Sequence, residues 1–209
     1  MTRHPAGKFR RLFPREHIPA VLDSLLAAGV TLRKKTANDH ENWISRRLYG
    51  RVIRIFPFRD GPLDIRLQPE IVETDLDEDK ASGQIDFLVS CCLGAEVYFA
   101  IEAKRLRLRL TSGKLDAGND DYVNEGMMRF ITGQYAPLMN TGAMLGYVYD
   151  GDIQKARSGV AGYIEREAVA LSLIGRFVRS SILPKKPIDE TQHALRNRSF
   201  TIYHLFLAV

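Results

Sequence analysis

Hydrophobic positions recur along the chain with two different periods, and the switches between them mark the expected elements. From 16 to 28, Ile18, Val21, Leu22, Leu25 and Leu26 fall on one stripe of a helix, with Gly29 as its stop. A second helix is expected after Asn38. Asn38 and Glu41 have the spacing of a capping box, Trp43, Ile44 and Leu48 supply a buried face, and Gly50 ends it. Arg51 to Phe58 and Ile65 to Glu73 read as extended segments around the turn Arg59-Asp60-Gly61-Pro62. Residues 84 to 106 have period 2 and read as two strands joined by a turn at Leu93-Gly94-Ala95. A third helix is expected over about 121 to 136, with Val123, Met127, Phe130 and Ile131 on its buried stripe and Pro137 at its end. Gly126 and Gly133 fall on one face of it and would let it approach a sheet closely. Ala143 to Tyr149 suits a strand buried on both faces. Residues 152 to 178 read as largely helical with breaks near Gly159 and Gly162, Pro184 and Pro187 sit in a polar linker, and Ser199 to Val209 alternates as a last strand.

That order of elements predicts an α/β fold, a mixed central sheet flanked by helices on both sides. With 209 residues, 45% hydrophobic and 26% charged, the expectation is a single globular domain covering 1–209. No apolar run approaches the roughly 20 residues that span a bilayer, and no apolar signal segment follows the basic start, so a cytoplasmic protein without a membrane partner is expected. Cys91 and Cys92 are adjacent and point to opposite faces of a strand, which suits neither a mutual disulfide nor a structural zinc site. The net charge of +5 is modest, but its distribution is uneven. Acidic residues gather at Glu73, Asp75, Asp77, Glu78 and Asp79, in what reads as a solvated loop. Basic ones gather at Lys8 to Arg15, Arg33 to Lys35, Arg46 to Arg59 and Lys104 to Arg109, which favours a polyanionic partner.

The candidate chemistry lies in the period-2 region. Val97, Phe99, Ile101 and Ala103 share one face of its second strand, and Tyr98, Ala100, Glu102 and Lys104 share the other. A lone Glu-x-Lys carries little weight, because about one is expected by chance in a chain of this size. Here it ends an apolar strand, and Asp86 interrupts the apolar residues of the strand before it. A hairpin of this length can bring Asp86 across from Glu102. An acidic pair with a lysine beside it on a rigid sheet suits a divalent metal and a water.

The arrangement Asp86, then Glu102-Ala103-Lys104, resembles the PD-(D/E)XK superfamily of restriction-endonuclease-like nucleases. Ile85 stands where the motif has proline. The resemblance implies an αβββαβ core over about 38–149, with an N-terminal helical extension at 1–35 and an added helix and strand at 152–209. It implies that Asp86, Glu102 and the Ala103 carbonyl hold Mg²⁺ or Mn²⁺, whose preference is for oxygen ligands. Lys104 would then orient or help deprotonate the attacking water and offset phosphate charge. Glu41 resembles the acid that many members carry on the first core helix, and Gln134 the polar residue often found on the later one. Arg129 and Tyr135 are weaker candidates of the same kind, and His40 is expected at the surface.

Arg105, Arg107 and Arg109 continue beyond the triplet and would share one side if the strand runs that far, a surface suited to phosphate contacts. His4, His17, His193 and His204 have no metal-ligand spacing. The expected function is therefore a hydrolase, a metal-dependent nuclease acting on DNA in preference to RNA. A homodimer or a partner subunit would let so small a domain cut both strands. The alternatives are a catalytically inactive restriction-like subunit that binds nucleic acid or a partner, and an interaction module in which Glu102 and Lys104 are a surface ion pair.

Overall fold

A computed structural model describes residues 12–71, 83–91, 93–94, 96–196 and 198–209. The acidic stretch from Glu73 to Asp79, the basic Lys8 to Arg11, Cys92, and Ala95 of the expected turn lie outside these residues.

A short 3-10 turn, Arg15–His17, leads into α1 (Ile18–Gly29), and α2 spans Glu41–Val52. Five strands follow: β1 (Asp64–Leu67), β2 (Glu70–Ile71), β3 (Gly83–Gln84), β4 (Phe87–Ser90) and the long β5 (Tyr98–Leu106). After β6 (Leu108–Arg109) and β7 (Leu115–Asp116), a π-helical stretch, Asp121–Met127, runs into α-helical Met128–Ile131, and the two together form α3. The chain closes with β8 (Thr141–Val148), α4 (Ile153–Arg166), β9 (Leu173–Arg179), β10 (Asp189–Leu195) and β11 (Arg198–Ala208).

Seven strands form one mixed sheet in the order β1-β4-β5-β8-β11-β10-β9. β8 is parallel to both β5 and β11, and the other neighbours are antiparallel. Side-chain parity assigns the helices to its two faces. Phe13 packs on Phe99, Ser45 of α2 bonds Tyr147 at 2.9 Å, and Gly29 of α1 lies so close to Leu207 that a Cβ would come within 2.6 Å of it. On the opposite face Tyr122 of α3 stacks on His204 and Phe206, and Gly126 sits over Met144 and Lys104. The sheet centre is therefore buried on both sides, and Phe99, Ile101, Ala103, Ala100 and Glu102 of β5 are all inaccessible or nearly so. Among the described residues no helix is long and apolar enough to cross a membrane.

The mixed sheet with flanking helices agrees with the sequence pattern, whereas several element assignments do not. Arg51 to Phe58 is no strand: α2 runs on to Val52 and turns follow it. Trp43 does not join the buried face of α2, which consists of Ile44, Ser45, Leu48 and Val52. No capping box forms at Asn38. Glu41 is the first residue of α2, and the preceding turn is held by Asp39, whose carboxylate accepts the backbone N–H groups of Lys35 (2.8 Å) and Thr36 (3.1 Å). The third helix stops at Ile131 rather than 136, because Gly133 adopts a φ of 82° and ends it in a left-handed turn. Gly126 does permit the close approach to the sheet, whereas Gly133 faces open space. α4 passes through Gly159 and Gly162 unbroken, and the chain then turns into β9 instead of remaining helical to 178. The polar linker after Pro187 contains β10.

Candidate active site

The candidate site forms where β5 outruns its neighbour. β4 begins at Phe87, paired with Ile101, so beyond that point one edge of β5 has no strand beside it among the described residues. The backbone N–H that Ala103 would offer a continued β4 is accepted instead by Asp86 Oδ2 at 2.8 Å. Two residues further along, the Arg105 N–H faces the carboxylate of Glu41. Carboxylates from two other segments thus substitute for the missing strand, as buried backbone donors require.

Glu102 and Lys104 project from the α3 side of β5. Lys104 Nζ lies 2.7 Å from Glu102 Oε1 and 3.9 Å from Glu41 Oε1. The same Glu102 oxygen accepts from Arg129 Nη1 at 2.9 Å. Arg129 also donates to the Tyr135 hydroxyl, which donates to the Gln84 carbonyl, so this chain of contacts ties α3 to the segment leading into Asp86. Glu102 Oε2 is buried, and among the described residues no N–H group donates to it.

Burial is the largest influence on all three carboxyl groups and pushes each of them up. Glu102 is raised to about 8, with the neighbouring Asp86 adding to burial and the cations Lys104 and Arg129 offsetting only part. Glu41 is raised to about 7 by burial, against the pull of Lys104. Asp86 is raised by burial despite the bond from Ala103, and it stands close enough to Glu102 for the two to share a proton. Burial alone would lower the Lys104 ammonium, but Glu102 and Glu41 outweigh it and hold this group charged.

Glu41 and Lys104, but not Asp86 or Glu102, line a cavity of about 540 Å³ whose wall also includes Arg105 and Arg129 and the exposed Trp43 and Arg46. Asp121 and Glu125 of the π-helical stretch line it as well. A π-helical turn is an uncommon local conformation, found disproportionately where function needs side chains re-aimed.

The structure brings Asp86, Glu102, Ala103 and Lys104 together at the hairpin, with Glu41 of α2 beside Lys104. It places Arg105 at the cavity and separates the two arginines that follow. β5 ends at Leu106, Arg107 takes a φ of 56°, and its guanidinium pairs with Asp150 at 2.6 Å. Arg109 lies in β6 and donates to the Gly113 carbonyl, away from the cavity wall. The expected row of three arginines on one side is thus broken by the left-handed residue. Gln134 lies past the end of α3, exposed and alongside Gly83, not over Lys104. Arg129 makes the contact expected of a polar residue from the later helix. Its signal in the sequence was slight, a cation beside Met128 and Phe130 that only the tertiary packing aims at Glu102.

Among the described residues no group of three or more His, Cys, Asp or Glu side chains is arranged to hold a metal ion. The donors that do converge are the Asp86 and Glu102 carboxylates and the backbone of Ala103. Their oxygen chemistry and the orphaned, buried Glu102 Oε2 fit a hard divalent cation that keeps several waters. Comparison of the chain with protein-family models, with curated proteins and with solved structures finds no match.

Proposed function

We propose that this chain is a divalent-metal-dependent nuclease of the restriction-endonuclease-like type, hydrolysing phosphodiester bonds in DNA. One observation carries the proposal: Asp86, Glu102 and Lys104 meet at the open end of β5 around a buried carboxylate oxygen to which no N–H group of the described residues donates. The order of elements supports it. α2, β1, β4, β5, α3 and β8, with an antiparallel β1-β4-β5 meander and a parallel β5-β8 pair, agree with the αβββαβ core that the motif resemblance implies.

On this reading Asp86, Glu102 and the Ala103 carbonyl would hold Mg²⁺ or Mn²⁺. In extended backbone the carbonyl of Ala103 points to the same side as its N–H, which already faces Asp86. The ion, when bound, supplies Lewis-acid polarisation of a phosphoryl oxygen and acidifies water. Lys104, held as an ammonium, acts as a hydrogen-bond donor and a fixed charge that orients the attacking water and offsets phosphate charge, rather than as the base. Arg129 holds Glu102 Oε1 and leaves Oε2 for the ion. Glu41 faces Lys104 and fixes the direction of its ammonium.

The test is cleavage of linear, nicked and single-stranded DNA, and of RNA, with Mg²⁺, Mn²⁺ or chelator. DNA cleavage is expected only with metal, and Lys104→Ala is expected to lower it about 10²- to 10³-fold. Cleavage that survives both chelator and Lys104→Ala would place the chemistry elsewhere. The second reading, a non-cutting nucleic-acid-binding subunit, is favoured by the absence, among the described residues, of three or more ligating side chains arranged to hold a metal ion. It predicts that Asp86→Ala and Glu102→Ala leave DNA affinity unchanged and that no metal gives cleavage.

A further inference from the structure

We infer that the solvent-facing stripe of α2 at the cavity mouth is a stacking subsite for an unpaired nucleobase, so that the strand entering the site is single-stranded or frayed there. This rests on the nuclease reading for its choice of nucleic acid and adds the form of the substrate. Trp43 is the sole tryptophan of the chain, and 48% of its surface is exposed. A tryptophan is usually among the more buried residues, so a half-open indole on the wall of a polar cavity calls for a partner. His40 stands edge-on to it, ring centroids 4.8 Å apart and planes at 81°, which backs the indole without covering it.

The surroundings specify the partner. Arg46 lies one helical turn beyond Trp43 on the same face and makes no ion pair with a described residue. Arg105, Lys104 and Arg129 line the same cavity, with Glu41, Asp121 and Glu125 also on its wall. An aromatic platform flanked by cations matches one base with its phosphates, the pattern by which proteins hold single strands with little sequence preference. A base inside a duplex has both faces stacked and offers none to an indole. A cavity of about 540 Å³ takes a small ligand such as a nucleotide unit rather than a double helix.

Because the chain has one tryptophan, its fluorescence reports this position alone. Three DNA probes are titrated in chelator, where cleavage is absent: a short oligodeoxythymidylate, an abasic oligomer with the same phosphates, and a blunt duplex. Only the oligodeoxythymidylate is expected to quench Trp43. Trp43→Ala should weaken its binding roughly tenfold, leave the abasic oligomer's affinity unchanged, and be largely rescued by Trp43→Phe. Equal quenching by the abasic oligomer or the duplex overturns the inference. So does an equal loss of affinity for the thymidylate and abasic probes in Trp43→Ala, or failure of the thymidylate to bind.

Failures of the two proposals are separable. Base-dependent quenching without cleavage in any metal leaves the stacking subsite standing and removes the nuclease. Metal-dependent cleavage without base-dependent quenching removes the subsite alone.

Discussion

At the residue scale, Glu41, Asp86 and Glu102 crowd around the Lys104 ammonium in a partly buried setting, and repulsion and burial together outweigh its attraction. The sign of the resulting pH dependence follows from the direction of the shifts. Glu102 is raised to about 8 and Glu41 to about 7, whereas in the unfolded chain glutamate ionises near 4. The folded state therefore binds more protons in that window. These groups contribute fully to stability below about pH 4, and the contribution is lost as pH rises toward 8. Without metal, Glu102→Gln should melt at a higher temperature than wild type at pH 8, with the difference shrinking toward pH 5, as thermal melts would show. Mg²⁺ should raise the melting temperature of wild type and leave Glu102→Gln unchanged. The three residues of the hairpin motif were legible because alternation sets their faces and the short hairpin sets their register. Arg129 and the exposure of Trp43 were not, since both depend on which side of a helix meets the sheet. Trp43 is large and apolar, and its hydrophobicity pointed it inward.

At the element scale, β10 shows how a strand can be hidden from a hydrophobicity pattern. Its buried positions are Asp189, Thr191 and His193, so its polar residues face inward. Asp189 is paired with Arg157 at 2.7 Å, and Thr191 and His193 are satisfied by a directional chain. Tyr122 donates to His204 Nδ1 (3.0 Å), His204 Nε2–H to Thr191 Oγ1 (2.9 Å), Thr191 to His193 Nε2 (2.8 Å), and His193 Nδ1–H to the Leu171 carbonyl (2.8 Å). Only neutral tautomers of both histidines complete it. Burial lowers both histidines, so their contribution to stability is present above about pH 6.5 and lost as pH falls below it. As pH falls from 6.5 toward 5, wild type should lose stability relative to His204→Gln, the carboxyl groups contributing equally to both. Thr191→Val leaves two buried ring nitrogens without a partner and should cost about 1–3 kcal/mol in urea unfolding. Gly118 is a second element-scale constraint. Its φ is 67°, and a Cβ there would lie 2.2 Å from the Arg105 carbonyl oxygen. Gly118→Ala should destabilise by about 1–3 kcal/mol and disturb Arg105 at the cavity, measurable as a loss of both melting temperature and DNA affinity.

At the scale of the whole molecule, the three-layer arrangement was legible from the sequence in its order of elements but not in its C-terminal sheet. The parallel β5-β8-β11 centre reads as apolar strands because helices cover it on both faces. Of the antiparallel strands beyond it, β10 carries polar residues and resembles linker by composition, whereas β9 falls in the stretch expected to be helical to 178. What this frame does for the site is to hold Asp86 from one strand, Glu102 and Lys104 from the next, Glu41 from the α2 side and Arg129 from the α3 side against the same free edge. A metal ion would be the one component that relieves their mutual repulsion and satisfies Glu102 Oε2 together. Calorimetric titration with Mg²⁺ or Mn²⁺, repeated in buffers of different ionisation enthalpy to count protons, tests this most directly. The account predicts that binding at pH 7 releases protons, strengthens as pH rises, and disappears in Asp86→Asn and Glu102→Gln. Undiminished binding in those variants, or no binding by wild type up to roughly 10 mM cation, would contradict it.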